Sequence, residues 1–537
     1  MDQATVVVIG GGATGTGIFR DLAMRGVDVV LLEQKDLAYG TSSRFHGLLH
    51  SGGRYAVKDA EAARECIEEN KLLRTVAKHC VEETEGLFVR LPEDDEAFEH
   101  KWVEACAAAG IETTQISKAE TLRLEPNLTG KLVSAYKVPD SAIDGFRLVW
   151  QNVQSGRRYG GRVYTYSEVV GVEQSNGKVT GVTVRNTLNG QESKISCEFL
   201  VSAAGSWVGE LAALAGIKVH VQPDRGTLIA FNHRFTNRVV NRLRPAGDAD
   251  IFVPHGSIVI LGTTSSPAEL PDDTIPKAEE VLAMLDVGEK MFEDVRSYRL
   301  LRAFTGTRPL YSADPSAIGR AASRNFTILD HSKEGLQGFA SIVGGKFTTY
   351  RLMAEKMADF VCAHLGVTTP CRTAVEPLVS DVDAATMARA RKAFPAFGSR
   401  LAADRLGDSL APVVEAMEKD PAKSQLVCEC ELVTLAEVEH VASDATSHQL
   451  TDVRRRTRMG MGTCQGAFCG LRGVGAIQTA GLFPEREPAD LFHDFLQGRW
   501  NGIRPMLWGK QVKEAELMRG IYEGTLNVRG EVPGHEK

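Results

Sequence analysis

The chain opens on a short β-branched run, Thr5 to Ile9, apolar at almost every position, which predicts a strand buried on both faces. Glycines interrupt it at once. From Thr14 to Arg25 apolar residues return at helical spacing, with Ile18, Phe19 and Leu22 on one side and Gly26 as the stop. A second apolar run, Asp28 to Glu33, predicts another strand and closes on an acid.

Beyond it the pattern switches repeatedly between the two periods. Asp59 to Cys80 predicts a helix with Ala63, Ile67, Leu73 and Val76 on its apolar side and a solvated charged face. Between Gly86 and Asp144 the pattern shortens into strands and loops, with one helix near Glu96 to Ala109. Phe146 to Arg158 predicts a helix, and Arg162 to Val184 predicts strands around an Asn176-Gly177 hairpin turn. Strands follow at Phe199 to Ala203, Asp250 to Pro254 and Ser257 to Gly262, then a charged helix from Pro276 to Phe292. Phe339 to Val343 predicts a strand whose Gly344-Gly345 turn opens a helix running to about His364, with Lys346 in its first turn. Ser380 to Lys423 is Ala-rich and charged, and predicts a helical connector.

Composition narrows the class of protein. With 537 residues the chain has ample length for several units of core. Charged residues make up 24%, the net charge is -7 and the mean hydropathy is -0.14, which speaks against a basic nucleic-acid binder or an integral membrane protein. No run approaches the roughly 18 apolar residues of a spanning helix. The first strand begins within a few residues of Met1, leaving no room for a signal peptide, so a cytoplasmic location is expected.

Candidate chemistry begins in the first glycine turn. Gly10, Gly12 and Gly15 stand in G-x-G-x-x-G spacing between strand and helix, and Glu33 ends the next strand. In that arrangement the first glycine makes the turn, the second admits a pyrophosphate, the third lets helix and strand approach, and the acid accepts from a ribose hydroxyl. The helix N-terminus offers amides and partial positive charge to the phosphates. This spacing predicts a dinucleotide site without separating NAD from FAD.

Of the ten cysteines, Cys66, Cys80, Cys106, Cys197, Cys362 and Cys371 are scattered and read as small buried hydrophobes. Cys428, Cys430, Cys464 and Cys469 form a C-x-C pair and a C-x4-C pair. Four thiolates in two close pairs suit a metal or a [2Fe-2S] cluster, with glycines at 460, 462, 466 and 470 leaving amides to donate to sulfur. Zinc is the alternative, although C-x-C is unusual for it. Arg454, Arg455, Arg456 and Arg458 lie nearby and would offset the negative charge of a cluster, unless they are only a solvated face.

Thr41-Ser42-Ser43 and the following HGLLHSGGRY, His46 to Tyr55, resemble the FAD-binding region of the D-amino-acid-oxidase-like flavoenzymes. Ala204-Gly205-Ser206-Trp207, TGTRPL at 305 to 310 and GGKFTTYR at 344 to 351 resemble later FAD-contacting turns of the same fold, and within it the chain is similar to FAD-dependent glycerol-3-phosphate dehydrogenases. The resemblance implies an α/β fold with a Rossmann-like FAD-binding domain, an inserted antiparallel β-sheet substrate cap and a small helical iron-sulfur domain. It places FAD-binding segments at about 1 to 85, 145 to 215 and 305 to 370, cap segments at about 86 to 144 and 216 to 304, a connector at 371 to 424, a [2Fe-2S] domain at 425 to 480 and a tail at 481 to 537. The cysteine region resembles the bacterioferritin-associated-ferredoxin-like domain, departing from it by C-x4-C where the ferredoxin closes with C-x2-C.

The family implies that Arg54, Tyr55, Arg308 and Lys346 bind the glycerol 3-phosphate anion; Arg308 and Lys346 are the candidates for polarising the developing alkoxide or holding the phosphate. The C2 hydrogen leaves as hydride to FAD and the hydroxyl proton goes to a base, which should be a histidine. His50 and His233 are the candidates, with His46 and His255 as packing or flavin contacts. Flavin and cluster together resemble the anaerobic branch of this family, which implies delivery of electrons to subunits B and C and then quinone, and a peripheral place on the inner membrane through those partners. An FAD-dependent amine or amino-acid oxidase with the same tail, or a flavin and cluster relay without substrate, are the alternatives; the cations at Arg54, Arg308 and Lys346 favour an anionic substrate.

Overall fold

The computed structural model describes residues 2–311, 325–526 and 528. Its first sheet is built from the strands the apolar runs predict. Strand β1 (Val6–Ile9) is followed by helix α1 (Ala13–Met24) and strand β2 (Val29–Leu32), which pairs parallel to β1 with Val6 opposite Val29 and Val8 opposite Leu31. The one-sided apolar spacing of α1 predicts an amphipathic helix. It is buried nearly all round instead, because α2 (Gly145–Arg158) and α3 (Tyr350–Leu365) cover it on two sides.

Strand β3 (Phe199–Ser202) pairs parallel to β1 on its other side, and β6 (Phe339–Gly344) follows it. With Arg162–Tyr164 beside β2 and the antiparallel Phe326–Asp330 beside β6, the sheet has six strands. One face of this sheet packs on α1, whose Ile18, Phe19 and Leu22 are fully buried in a core shared with Val6, Val8, Val29 and Leu31. The Asn176-Gly177 turn joins Ser167–Ser175 to Lys178–Asn186 in a separate four-stranded sheet, as its sequence predicts.

The cap is a nine-stranded, mainly antiparallel sheet. Its centre is β4 (Gln222–Phe231), paired antiparallel over its length with β5 (Leu300–Leu310). The TGTRPL motif therefore belongs to a continuous cap strand, so the expected boundary at 304 and 305 falls inside one element. The physical reason is that a strand reaching from cap to cofactor can carry Arg308 across the interface without a break in its ladder: Arg308 still pairs with Asp224 in register.

Two further expectations change. The helix after β6 begins at Tyr350, so Lys346 lies in the turn before it and not in its first turn. Ser380 to Lys423 is three helices, Ala384–Ala393, Gly398–Leu406 and Leu410–Lys419, which share one apolar core with the cysteine-bearing helices through Leu410, Val413, Val438 and Val453. It is part of a C-terminal body rather than a connector. That body also holds α4 (Leu450–Thr457), α5 (Cys469–Thr479) and α6 (Pro488–Ile503); the last residues of the expected tail lie outside the described residues. Among the described residues no helix is long and apolar enough to cross a membrane.

Candidate active site

The site begins where β1 ends. Gly10 takes φ +116°, and a Cβ there would lie 2.5 Å from the Ala203 carbonyl oxygen; a Cβ on Gly15 would lie 1.9 Å from the Gly10 oxygen. Only glycine lets the turn, the helix and β3 meet so closely. Glu33 accepts from the amides of Gly11 at 2.7 Å and Lys35 at 2.9 Å, and burial pushes its carboxyl up despite these bonds. Ser42 Oγ accepts from the Ala13 amide at 2.9 Å, and Thr41 Oγ1 donates to the Thr307 carbonyl at 2.6 Å. Ser43 turns back to the carbonyls of Gly40 and Tyr39 and closes its own turn.

A cavity of about 610 Å³ runs along this edge from Gly10, Gly12 and Glu33, past Thr41, Ser42, Ala204 and Gly205, to Gly344, Gly345 and Lys346. Its length of glycine-lined backbone, the α1 N-terminus and the acid at the far end fit a dinucleotide. Gly15 and Ser43 do not line it; they hold the turns that do.

A second cavity of about 420 Å³ adjoins the first and shares Thr41, His46, His50, Tyr55 and Arg308 with it. Arg54 enters here with Nη2 3.2 Å from Asp250, while its buried Nη1 has no hydrogen-bond partner. Arg308 is gripped from behind: Nη1 contacts Asp224 at 2.5 Å, and Nη2 donates to Thr263 Oγ1 and to the Thr264 carbonyl, the latter at 3.0 Å. Lys346 Nζ stands 3.7 Å from Glu65 and 5.5 Å from the centre of the Tyr55 ring, and burial pushes the Glu65 carboxyl up against the pull of Lys346.

The segment from His50 to Tyr55 is held rigidly. The His50 amide donates to Thr348 Oγ1 at 3.1 Å, the Ser51 amide to Asp140 at 2.6 Å, and Trp102 Nε1 to the Gly53 carbonyl at 2.8 Å. The His50 ring lies 5.5 Å from His46 and 5.4 Å from Tyr55, centre to centre. Burial first, then Arg54 and Lys346, push its imidazole down to about 3, so it is neutral near pH 7. Burial, with His50, Arg308 and Arg54, likewise holds His46 low; its Nδ1 accepts from the Leu48 amide at 3.1 Å, which leaves the proton on Nε2.

His233 is placed elsewhere. It is exposed, with its ring 5.2 Å from Tyr298, and lines neither cavity. The FNHRF segment turns outward at the end of β4, so proximity along the cap sequence does not become proximity in space. His255 backs the site, hydrogen-bonding the His46 carbonyl at 3.1 Å. Arg44, which none of the sequence motifs marks out, lines the second cavity; it follows Ser43 directly, and that adjacency is the signal available for it.

The four clustered cysteines meet in the C-terminal body. Cys428 and Cys469 are buried in its core with Cys430 packed against it, and Cys430 stands 3.5 Å from Thr463 Oγ1. The neighbouring Cys469 side chain outweighs burial and, with the amides of Phe468 and Gly466, pulls the Cys464 thiol down to about 5. The Gly460 amide donates to Cys428. No group of three or more His, Cys, Asp or Glu among the described residues forms a metal-holding set. Of the scattered cysteines, Cys66, Cys80, Cys106, Cys197 and Cys362 are buried and Cys371 is half-buried.

Fold and site together define an FAD-dependent oxidoreductase. The family model described as FAD dependent oxidoreductase matches residues 5–351. Over nearly its whole length the chain is also similar to curated proteins: it is 42% identical over 533 residues to the A subunit of the anaerobic glycerol-3-phosphate dehydrogenase of Escherichia coli K12, covering 98% of both chains, and 40% identical to that of Haemophilus influenzae, covering 99% of this chain and 95% of the relative. A glycerol-3-phosphate dehydrogenase from Bacillus halodurans, solved with FAD, shares the fold with a TM-score of 0.71 at 22% identity, covering 95% of this chain and 97% of that one. The chain belongs to the FAD-dependent oxidoreductases and, within them, to the family of anaerobic glycerol-3-phosphate dehydrogenase A subunits.

Proposed function

We propose that the chain is the catalytic subunit of a quinone-linked dehydrogenase that oxidises sn-glycerol 3-phosphate to dihydroxyacetone phosphate. The observation that carries the substrate is the buried, unpartnered Arg54 Nη1 in a cavity that Arg308 joins to the flavin cavity. A buried guanidinium donor without an acceptor is costly, and a phosphate oxygen supplies one. An amine with no acid group would leave Arg54 unsatisfied. The glycine oxidase of Geobacillus kaustophilus shares the fold with a TM-score of 0.58 at 19% identity, so fold alone does not choose between these chemistries.

When bound, FAD supplies the acceptor for the C2 hydride. Arg54, Tyr55 and Lys346 bind the phosphate end, and Arg308, fixed by Asp224 and Thr264, polarises the C2 oxygen. His50, neutral and held by Thr348, takes the hydroxyl proton on its imidazole; His46, protonated on Nε2, orients the same oxygen as a donor. Cys428, Cys430, Cys464 and Cys469, with amides from Gly460 and Gly466, would hold a [2Fe-2S] cluster that takes electrons singly from the flavin. The word subunit in the relatives' names supports a multi-chain assembly, here read as partners B and C that pass electrons to quinone and hold the chain at the cytoplasmic face of the membrane.

An anaerobic titration of the holoenzyme with glycerol 3-phosphate tests this, following flavin absorbance and the EPR signal of the cluster together. Bleaching of the flavin with growth of the cluster signal is expected. Reduction of both centres by dithionite but of neither by glycerol 3-phosphate would overturn the reading.

A further inference from the structure

Where the cap sheet walls the second cavity, side chains are missing. Successive residues of a strand point to opposite faces, so Asp224 and Gly226 on β4 share one face with Gly306 and Arg308 on β5. Gly226 stands directly opposite Gly306 in the ladder, and both line the cavity together with Gly262, the last residue of the neighbouring strand Ile258–Gly262. None of the three has a left-handed φ, so the backbone does not ask for glycine there. Glycine inside a strand weakens it and marks a place where something else approaches closely.

What approaches differs between the two paired glycines. A Cβ on Gly226 would stand 2.7 Å from Arg308 Cζ and 2.9 Å from Nη1, with Nη2 closer still. The guanidinium thus lies across the bare Gly226 backbone. Asp224 takes its Nη1 at 2.5 Å, while the Thr263 hydroxyl and the Thr264 carbonyl take Nη2. Ser265 Oγ reaches both Asp224 oxygens, at 2.9 and 3.0 Å, and fixes the carboxylate in turn. A Cβ on Gly306 would instead stand 2.6 Å from Arg44 Cβ and 2.9 Å from the Arg44 carbonyl oxygen, against the turn that carries Thr41 and Ser42. The same cavity holds Arg54, whose side chain is 8% exposed and whose Nη1 has no partner, so a ligand is called for where this wall is bare.

We propose that Gly226 is a positioning residue for the reaction: the space its missing side chain leaves is the seat of the Arg308 guanidinium, and it sets where that cation stands against the C2 oxygen. This rests on the glycerol 3-phosphate reading of the cavity. Carbon atoms rest at about 3.5 Å or more from one another, so a methyl on Gly226 would drive the guanidinium back by about 1 Å and tear its fork from Asp224 and Thr264. A displacement of about 1 Å at a charge-stabilising group can cost about a hundredfold in rate. What gives way is the end of a long side chain rather than backbone, so the fold and the cofactor turn stay in place.

The test uses the FAD-loaded full chain. Gly226→Ala should keep the wild-type FAD content, unfolding midpoint and affinity for inorganic phosphate, the last by calorimetry. Its kcat with glycerol 3-phosphate should fall about tenfold to a hundredfold while KM changes by less than about threefold. In an Arg308→Gln background, or Arg308→Lys if buried Asp224 needs a cation for folding, the same alanine should cost less than about twofold, because the fork it displaces is gone. Gly306→Ala, which meets backbone, should lower FAD content instead. Wild-type kcat in Gly226→Ala would overturn the proposal, and so would an equal loss with and without the guanidinium. Should Gly226→Ala fail to fold, folding restored by Arg308→Gln would support the collision, and failure of the double variant would overturn it. A wild-type holoenzyme that glycerol 3-phosphate does not reduce fails the substrate reading itself, a separate result.

Discussion

Asp36 and Arg456 lie 420 positions apart in the chain and 2.6 Å apart in space, both almost wholly buried. Asp36 follows Glu33 at the end of the dinucleotide strand, and Arg456 belongs to the cysteine-bearing body, with its guanidinium 4.9 Å from the centre of the Trp150 ring on α2. Tyr166 and Arg458 add contacts to Asp452 and Asp144 across the same seam. The dinucleotide edge and the cysteine-bearing body are thereby held together across one seam.

Gly10→Ala places a methyl 2.5 Å from the Ala203 carbonyl at a φ of +116°. About 1 to 3 kcal/mol of backbone strain is expected, relieved by opening the turn that faces the pyrophosphate. The purified variant should carry much less FAD than wild type, measured by flavin absorbance per chain; full occupancy would remove this turn from the cofactor site.

Arg54→Ala is the cleaner probe of phosphate recognition than Arg308→Ala. Asp250 keeps Arg244 at 2.7 Å when Arg54 is gone, whereas losing Arg308 leaves buried Asp224 without its cation. Removing a charge-assisted bond should cost roughly 1.5 to 3 kcal/mol, or about ten- to a hundredfold in kcat/KM for glycerol 3-phosphate. Steady-state kinetics unchanged from wild type would take Arg54 out of the site.

His50→Asn should lower kcat by about a hundredfold to ten-thousandfold. Because His50 is neutral down to about pH 3 in the free chain, it should not set the acid limb of kcat/KM. That limb is expected near pH 6, where the substrate phosphate takes its second proton, and should stay in place in the variant. Its disappearance there would show that His50 titrates near neutrality.

Asp144 supports both α2, by capping it, and the seam, through Arg458. Burial works to raise its carboxyl, but Arg458 and Arg147 outweigh it and bring it from 3.8 to about 2. Its folded value is depressed, so its contribution is fully present above about pH 4 and fades as pH falls toward 2. Asp144→Asn should therefore be about 2 kcal/mol less stable than wild type near neutrality, with the gap closing in acid. Denaturant unfolding at a series of pH values measures this, and a gap independent of pH would disprove it.

Elements whose chemistry is local are legible in the amino-acid order. The βαβ unit with Gly10, Gly15 and Glu33 is one, because buried strands are continuous apolar runs and a turn that tight admits only glycine. The Asn176-Gly177 hairpin and the paired cysteines are legible for the same reason: neighbours in sequence are neighbours in space. Resemblance, rather than spacing, brings Arg54, Tyr55, Arg308 and Lys346 into one proposal. Packing settles which histidines face the cavity, since His46 and His50 line it from a loop pinned by Thr348 and Asp140 while His233 turns to solvent. It also settles that Lys346 precedes its helix, and which arginines keep a carboxylate. Charge pairing depends on contacts hundreds of residues apart, and no local pattern records that Arg455 and Arg456 will meet Asp36 while Arg458 meets Asp144.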